Sequence, residues 1–247
     1  MALNPDPVIT RFESELTHEH FLKKIKGKKI LVACSGPSFE LRNWQNLDID
    51  GVITMSFFYN KEELTSRKDI IFAGLSNLSN FASPVLNDFL NSNPDTAVGC
   101  EENVHPAYEN ARFENFVKQY KNRYVNYWTD VHQKILYIGL GGRLIYFALN
   151  YSPSELYFIG FDGGTENWKN DPPNSFRPNY KAEFIREKSY KTICANYNKA
   201  TADMYEVAKQ KGVKLQNLGE GLPFNIPSEY SSNHFPLTQD IKNRIID

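Results

Sequence analysis

Residues 28–40 read KKILVACSGPSFE. The run from Ile30 to Cys34 is apolar without a break, so a strand formed there must be covered on both faces, as strands of parallel sheets are. It ends in Ser35-Gly36-Pro37-Ser38, a turn of small residues, and this turn has two readings. Ser38 can cap a helix beginning FELRNWQNL, which makes the segment a plain strand-to-helix turn. Alternatively, loop amides at the carboxyl end of a buried strand can seat the phosphates of a nucleotide. Neither GxxxxGK[ST] nor GxGxxG occurs here, so the common phosphate-loop signatures do not decide between them.

Working outward, five more short apolar runs are strand candidates: GVITMS (51–56), DIIFAG (69–74), TAVGC (96–100), ELYFIG (155–160) and VKLQNL (213–218). Longer amphipathic stretches alternate with them. Residues 106–123 and 181–212 carry apolar side chains at helical spacing, and Gly212 is a natural helix stop. Strands alternating with helices predict an α/β, Rossmann-like, open and mostly parallel sheet with helices on both faces. Residues 163–180, with three prolines and little periodicity, read as a lid loop inserted in the domain. The predicted organisation is an N-terminal tail and helix over 1–27, then a single nucleotide-binding domain over 28–247.

Composition narrows the function classes. With 28 basic and 29 acidic side chains the net charge is −1, which removes the broad attraction that nonspecific nucleic-acid binders use. No window approaches the roughly 20 apolar residues of a membrane span, and the N-terminus has no apolar run of signal-peptide length. The three cysteines, Cys34, Cys100 and Cys194, form no metal-ligand pattern and read as reduced thiols of a cytoplasmic protein.

A second constellation lies in GLGGRLIYFALNYSPSELYFIGFDGG, residues 139–164. Gly139, Gly141 and Gly142 open an amphipathic helix, and the strand after it exits at Gly160-Phe161-Asp162. An acid beyond the carboxyl end of a strand can act as a base, hold a ribose hydroxyl or bind a metal, and it can equally be a turn residue. Of the five histidines, His18 and His20 fall on different helix faces and make no metal pair. His234, in SSNHFPL, is the candidate acid/base. No metal site is expected.

An N-terminal strand followed by GPS, then a helix, an apolar strand and G-x-D, resembles the 6-hydroxymethylpterin pyrophosphokinase-like family. That family includes the central domain of motility-associated flagellin glycosyltransferases and is distantly similar to bacterial sialyltransferases that use CMP-sialic acid. The resemblance spans about residues 28–222. It implies that Ser35, Gly36, Pro37 and Ser38 line a nucleotide phosphate site, with Ser56, Ser76 and Asn77 as polar contacts from the second and third strand ends. It also implies that Gly139, Gly141 and Gly142 touch the nucleotide, and that Asp162 is the acid of G-x-D. The sialyltransferases place a histidine and two lid tyrosines beyond that strand. Here no histidine lies between His132 and His234, and Trp168 and Tyr180 are the aromatic lid candidates for substrate contact.

The resulting expectation is a nucleotide-sugar-dependent glycosyltransferase. It would carry no tightly bound cofactor, take a CMP-linked sugar as donor and use a glycan or small acceptor, with a homo-oligomer left open. Two alternatives stand beside it. One is an ATP-dependent pyrophosphokinase, the only case that would need Mg²⁺, with Asp162 and Glu166 as its acids. The other is a non-catalytic nucleotide or glycan-binding module.

Overall fold

The computed structural model describes residues 18–76, 79–101, 111–127, 139–162, 174–177, 187–222 and 237–246. Its strands are β1 (Lys29–Ala33), β2 (Gly51–Met55), β3 (Ile70–Gly74), β4 (Ala97–Glu101), β5 (Tyr124–Tyr127), β6 (Glu155–Ile159) and β7 (Lys214–Asn217). They form one seven-stranded sheet in the order β5-β4-β3-β2-β1-β6-β7, and every pairing is parallel. The α-helices are α1 (His18–Ile25), α2 (Glu62–Thr65), α3 (Pro84–Ser92), α4 (Ala111–Gln119), α5 (Gly139–Asn150), α6 (Glu187–Gln210) and α7 (Gln239–Ile245).

Alternation along β1 explains the layering. Ile30 and Val32 enter a core with Phe21 and Ile25 of α1, Leu144 and Phe147 of α5, and Met204 and Ala208 of α6. Leu31 and Ala33 point the other way, into a core with Trp44, Phe58, Leu86 of α3, Phe116 of α4 and Ile241 of α7. Successive strand residues face opposite sides, so an all-apolar strand needs helices on both, and it has them. Each fully buried side chain of this size contributes about 1.5–3 kcal/mol relative to exposure. The expected α/β, Rossmann-like fold is the one observed.

Local chemistry fixes the element ends. At α3 the hydroxyl of Ser83 accepts from the N–H of Leu86 at 3.3 Å, and Pro84 fills the first helical position, where its missing donor costs nothing. At the end of α6, Gly212 adopts φ +67°. Its N–H donates to Lys209 O, and that of Val213 donates to Ala208 O. This pair of bonds closes the helix in the left-handed turn that glycine favours.

Two sequence expectations fail locally. The helix anticipated over 106–123 ends at Gln119, where residues 120–123 turn into β5, a strand the sequence reading lacks; residues 106–110 lie outside the described residues. No α-helix follows Ser35-Gly36-Pro37-Ser38 either. Two 3-10 turns, Pro37–Phe39 and Trp44–Asn46, stand there instead. Phe39 and Trp44 pack with ring centroids 5.1 Å apart, and the Trp44 indole N–H donates to Phe39 O at 3.2 Å. That folds the segment onto the sheet. Ser38 therefore caps no helix.

Candidate active site

Strand order reverses at β1, with β2 on one side and β6 on the other. In open parallel sheets the loops beyond the carboxyl ends at such a switch point form the ligand crevice. Here those loops are Ser35–Ser38 after β1 and Gly160–Asp162 after β6, and they interlock. Gly36 N–H donates to Gly160 O at 2.7 Å. Gly160 N–H donates to Ser38 Oγ at 2.7 Å, and Ser38 N–H donates to Asp162 Oδ2 at 2.8 Å.

The glycines make this possible. A Cβ on Gly36 would lie 2.6 Å from both Asp162 Oδ2 and Gly160 O, and one on Gly160, at φ +70°, would lie 2.1 Å from Cys34 O. Their smallness serves loop-to-loop packing. Most of the amides expected to seat a phosphate are therefore spent inside the protein, and Pro37 has none. Among the described residues, the N–H of Ser35 is the one in this turn that finds no hydrogen-bond acceptor.

The glycine cluster at residues 139–142 forms the first turn of α5 and not a turn before it. Gly141 is buried, and a Cβ there would come within 2.7 Å of Cys34 Sγ, so the cluster lets α5 abut the end of β1. The positive end of the helix thereby reaches the same sheet edge. Gly142 is buried beside it, while Gly139 is exposed with φ +63°. Burial, with the Asp162 charge adding to it, pushes the Cys34 thiol well above its ordinary value and keeps it protonated.

Ser56 and Ser76 also meet, at the ends of β2 and β3. Ser76 N–H donates to Ser56 Oγ at 2.9 Å, and the two hydroxyl oxygens lie 3.4 Å apart. The next residue, Phe57, has φ +69°, a left-handed conformation that costs a bulky residue of order 1–3 kcal/mol. Asn80, fully buried, holds it there: its Oδ1 accepts from Phe57 N–H at 3.2 Å and from the Tyr59 hydroxyl at 3.1 Å.

Residues 174–177 cross over these loops. Ser175 N–H donates to Ser35 O at 2.7 Å, and its hydroxyl donates to Gly36 O at 3.0 Å. Asn174 Nδ2 donates to Ser35 Oγ at 2.9 Å. Phe176 is buried edge-on against Phe39, and its carbonyl accepts from Asn60 Nδ2. The Arg177 guanidinium lies 4.4 Å over the Phe57 ring. This part of the anticipated lid is a docked strap pinned to the turn after β1.

On the other flank the half-buried Arg42 donates from Nε to Leu218 O at 3.1 Å and from a terminal nitrogen to Glu220 O at 2.9 Å. Burial lowers its pKa while the Asp162 charge opposes that shift. The Glu220 carboxyl is raised by burial, with Lys242 opposing. Sequence reasoning missed Arg42, Phe57, Asn80 and Arg177. Only Arg42, four residues past Ser38 in the chain, carried a positional hint.

The structure thus brings Ser35, Gly36, Pro37, Ser38, Gly141 and Asp162 together at the end of β1, with Ser56 and Ser76 on the neighbouring strands. Asn77, Glu166, Trp168, Tyr180 and His234 lie outside the described residues. Among the described residues no group of three or more His, Cys, Asp or Glu side chains is arranged to hold a metal ion.

With this geometry in place, solved structures supply a parallel. The monofunctional alpha-2,3-sialyltransferase Cst-I from Campylobacter jejuni superposes with a TM-score of 0.56 at 16% identity, over 96% of this chain and 88% of that one. The sialyltransferase CstII from the same organism, in complex with the substrate analogue cytidine-5'-monophosphate, gives 0.53 at 18% identity over 87% of each chain. This chain has their α/β fold. No protein-family model and no curated protein sequence matches it, so the pyrophosphokinase-like and flagellin glycosyltransferase family of the resemblance is not shown. Among the described residues no helix is long and apolar enough to cross a membrane.

Proposed function

We propose that this protein is a nucleotide-sugar-dependent glycosyltransferase, with a CMP-linked sugar as donor and a glycan or small hydroxylated molecule as acceptor. The observation that carries the reading is the interlocked pair of loops after β1 and β6, at the switch point of a sheet shared with sialyltransferases, one of them solved with cytidine-5'-monophosphate. The donor phosphate takes the Ser35 N–H and the positive end of α5 beside Gly139. Ser56 and Ser76 supply hydroxyls to the nucleotide, and Asn77, next in the chain, is the third polar contact of this reading. Asp162 orients or deprotonates the acceptor, and His234 is the second candidate for that proton. Trp168 and Tyr180 cover the sugar.

Transfer forms a bond from the acceptor oxygen to the anomeric carbon. The bond from that carbon to the phosphate oxygen breaks, and its electron pair leaves with the nucleoside phosphate. The acceptor proton goes to the base. Fixed donors around the departing phosphate lower the barrier because they need no reorganisation. We place the protein in the cytoplasm, a location that its free cysteines Cys34 and Cys100 suit.

Isothermal titration with CMP, UMP, CMP-linked sugars and magnesium-ATP, followed by a transfer assay on a glycan panel, tests the reading. We expect CMP and its sugars to bind and a product to form. Binding of magnesium-ATP alone would redirect it to pyrophosphoryl transfer. Nucleotide binding without a product would leave a binding module, and no binding would remove the proposal.

A further inference from the structure

Phe57 combines features that packing alone does not require. It holds a left-handed backbone although it is not glycine, and its half-buried ring lies at the rim of one core, not within it. That conformation is fixed from beneath by the buried Asn80, through Phe57 N–H and the Tyr59 hydroxyl. From above, the strap is tied to the same loop through Asn60 Nδ2 and Phe176 O. Backbone strain that neighbours over-determine in this way is concentrated at ligand-binding positions.

The strap also sets Arg177. Its N–H donates to Asn174 Oδ1 at 2.9 Å, and Asn174 in turn donates to Ser35 Oγ. The guanidinium rests 4.4 Å over the Phe57 ring. A planar cation backed by an aromatic ring presents a flat face on which a nucleobase can stack. Its distance from the turn after β1 is bridged by one residue, since Asn174 touches both.

We infer that the Phe57–Arg177 stack at the exit of β2 is the nucleobase seat of the donor nucleotide, with the base lying on the guanidinium face. The inference rests on the proposal that a nucleotide occupies this edge, and it goes further by giving the ligand a direction. The base lies at the β2 exit and the ribose beside Ser56 and Ser76. The phosphate lies toward Ser35 and the first turn of α5. Stacking reads a π-face more than a hydrogen-bond pattern, so this seat contributes affinity, and discrimination between bases falls to other groups.

The test uses the full-length chain with Phe57→Gly, which suits the left-handed backbone and removes only the ring, and Arg177→Gln, which removes the cation. Thermal melts establish that each variant is folded. Titration compares CMP with ribose 5-phosphate, which has the phosphate and sugar but no base. Both variants should weaken CMP roughly ten-fold or more while changing ribose 5-phosphate by no more than about two-fold. Unchanged CMP affinity overturns the inference. Equal losses for both ligands also overturn it, because they would make Arg177 a phosphate contact. A wild-type protein that binds CMP without transferring sugar removes the transferase reading and leaves this one intact, whereas one that binds no nucleotide removes both.

Discussion

The main-chain N–H of Ser38 donates to Oδ2 of Asp162 at 2.8 Å across 124 residues of sequence, while the hydroxyl of the same serine accepts from Gly160 N–H. Asp162 is thus structural before it is chemical. Asp162→Asn keeps an acceptor of the same shape and should cost about 1 kcal/mol, whereas Asp162→Ala leaves the Ser38 amide unpaired and should cost about 1–3 kcal/mol. Urea denaturation measures both. An Asp162→Ala variant as stable as the wild type would show that the bond contributes nothing.

Gly160 and Gly212 share a positive φ, +70° and +67°, but a Cβ at Gly160 meets Cys34 O at 2.1 Å while one at Gly212 meets nothing within 4 Å. Gly212→Ala should therefore cost the left-handed strain alone, about 1–2 kcal/mol. Gly160→Ala adds a backbone clash and should lose at least ~3 kcal/mol or fail to fold. Similar midpoints for the two variants in denaturant would contradict the packing described.

Gln216 is fully buried in β7, and neither atom of its side-chain amide has a hydrogen-bond partner among the described residues. Replacing such a group by an apolar one of similar size can be neutral or stabilising. Gln216→Leu should shift stability by between 0 and about +2 kcal/mol. A clear loss in a thermal melt would mean the amide is bound in solution.

Cys34 and Cys100 are free and buried, and burial pushes the Cys100 thiol up to about 12. An unfolded chain ionises its thiols first, at about 8.5. Their contribution is thus complete below that pH and declines as pH rises toward the folded value, by up to ~1.4 kcal/mol per unit for each thiol. Stability from pH 8.5 to 11 should fall, and fall less steeply in Cys100→Ala. At pH 8 Cys34 and Cys100 of the native protein should resist iodoacetamide until it unfolds.

How much was legible follows from where each signal is stored. Five of the six anticipated strands were readable because a nearly continuous apolar run has few other uses in a chain of this polarity, while the sixth, VKLQNL, alternates apolar and polar residues from Val213 to Gln216. β5, Tyr124-Val125-Asn126-Tyr127, has a single β-branched residue and joins its helix with no glycine or proline, so nothing local announces it. After Ser38 the expected helix rested on a serine cap alone, whereas Phe39, Trp44 and Leu47 are all buried through a folded-back turn. At the site, SGPS and G-x-D were visible as small-residue turns, while their mutual contact was not. Phe57, Asn80 and Arg177 come from three separate loops and have no common local pattern, so only the folded sheet edge reveals them as neighbours.

The fit of Gly36 against Gly160 bears on protein engineering. Neither loop has a shape of its own that a foreign scaffold could accept, since each supplies the other's hydrogen-bond partners and fills the other's space. Grafting the turn after β1 into a related sheet without the turn after β6 would transplant half of a joint, and the smallest exchangeable part of this cleft is the pair.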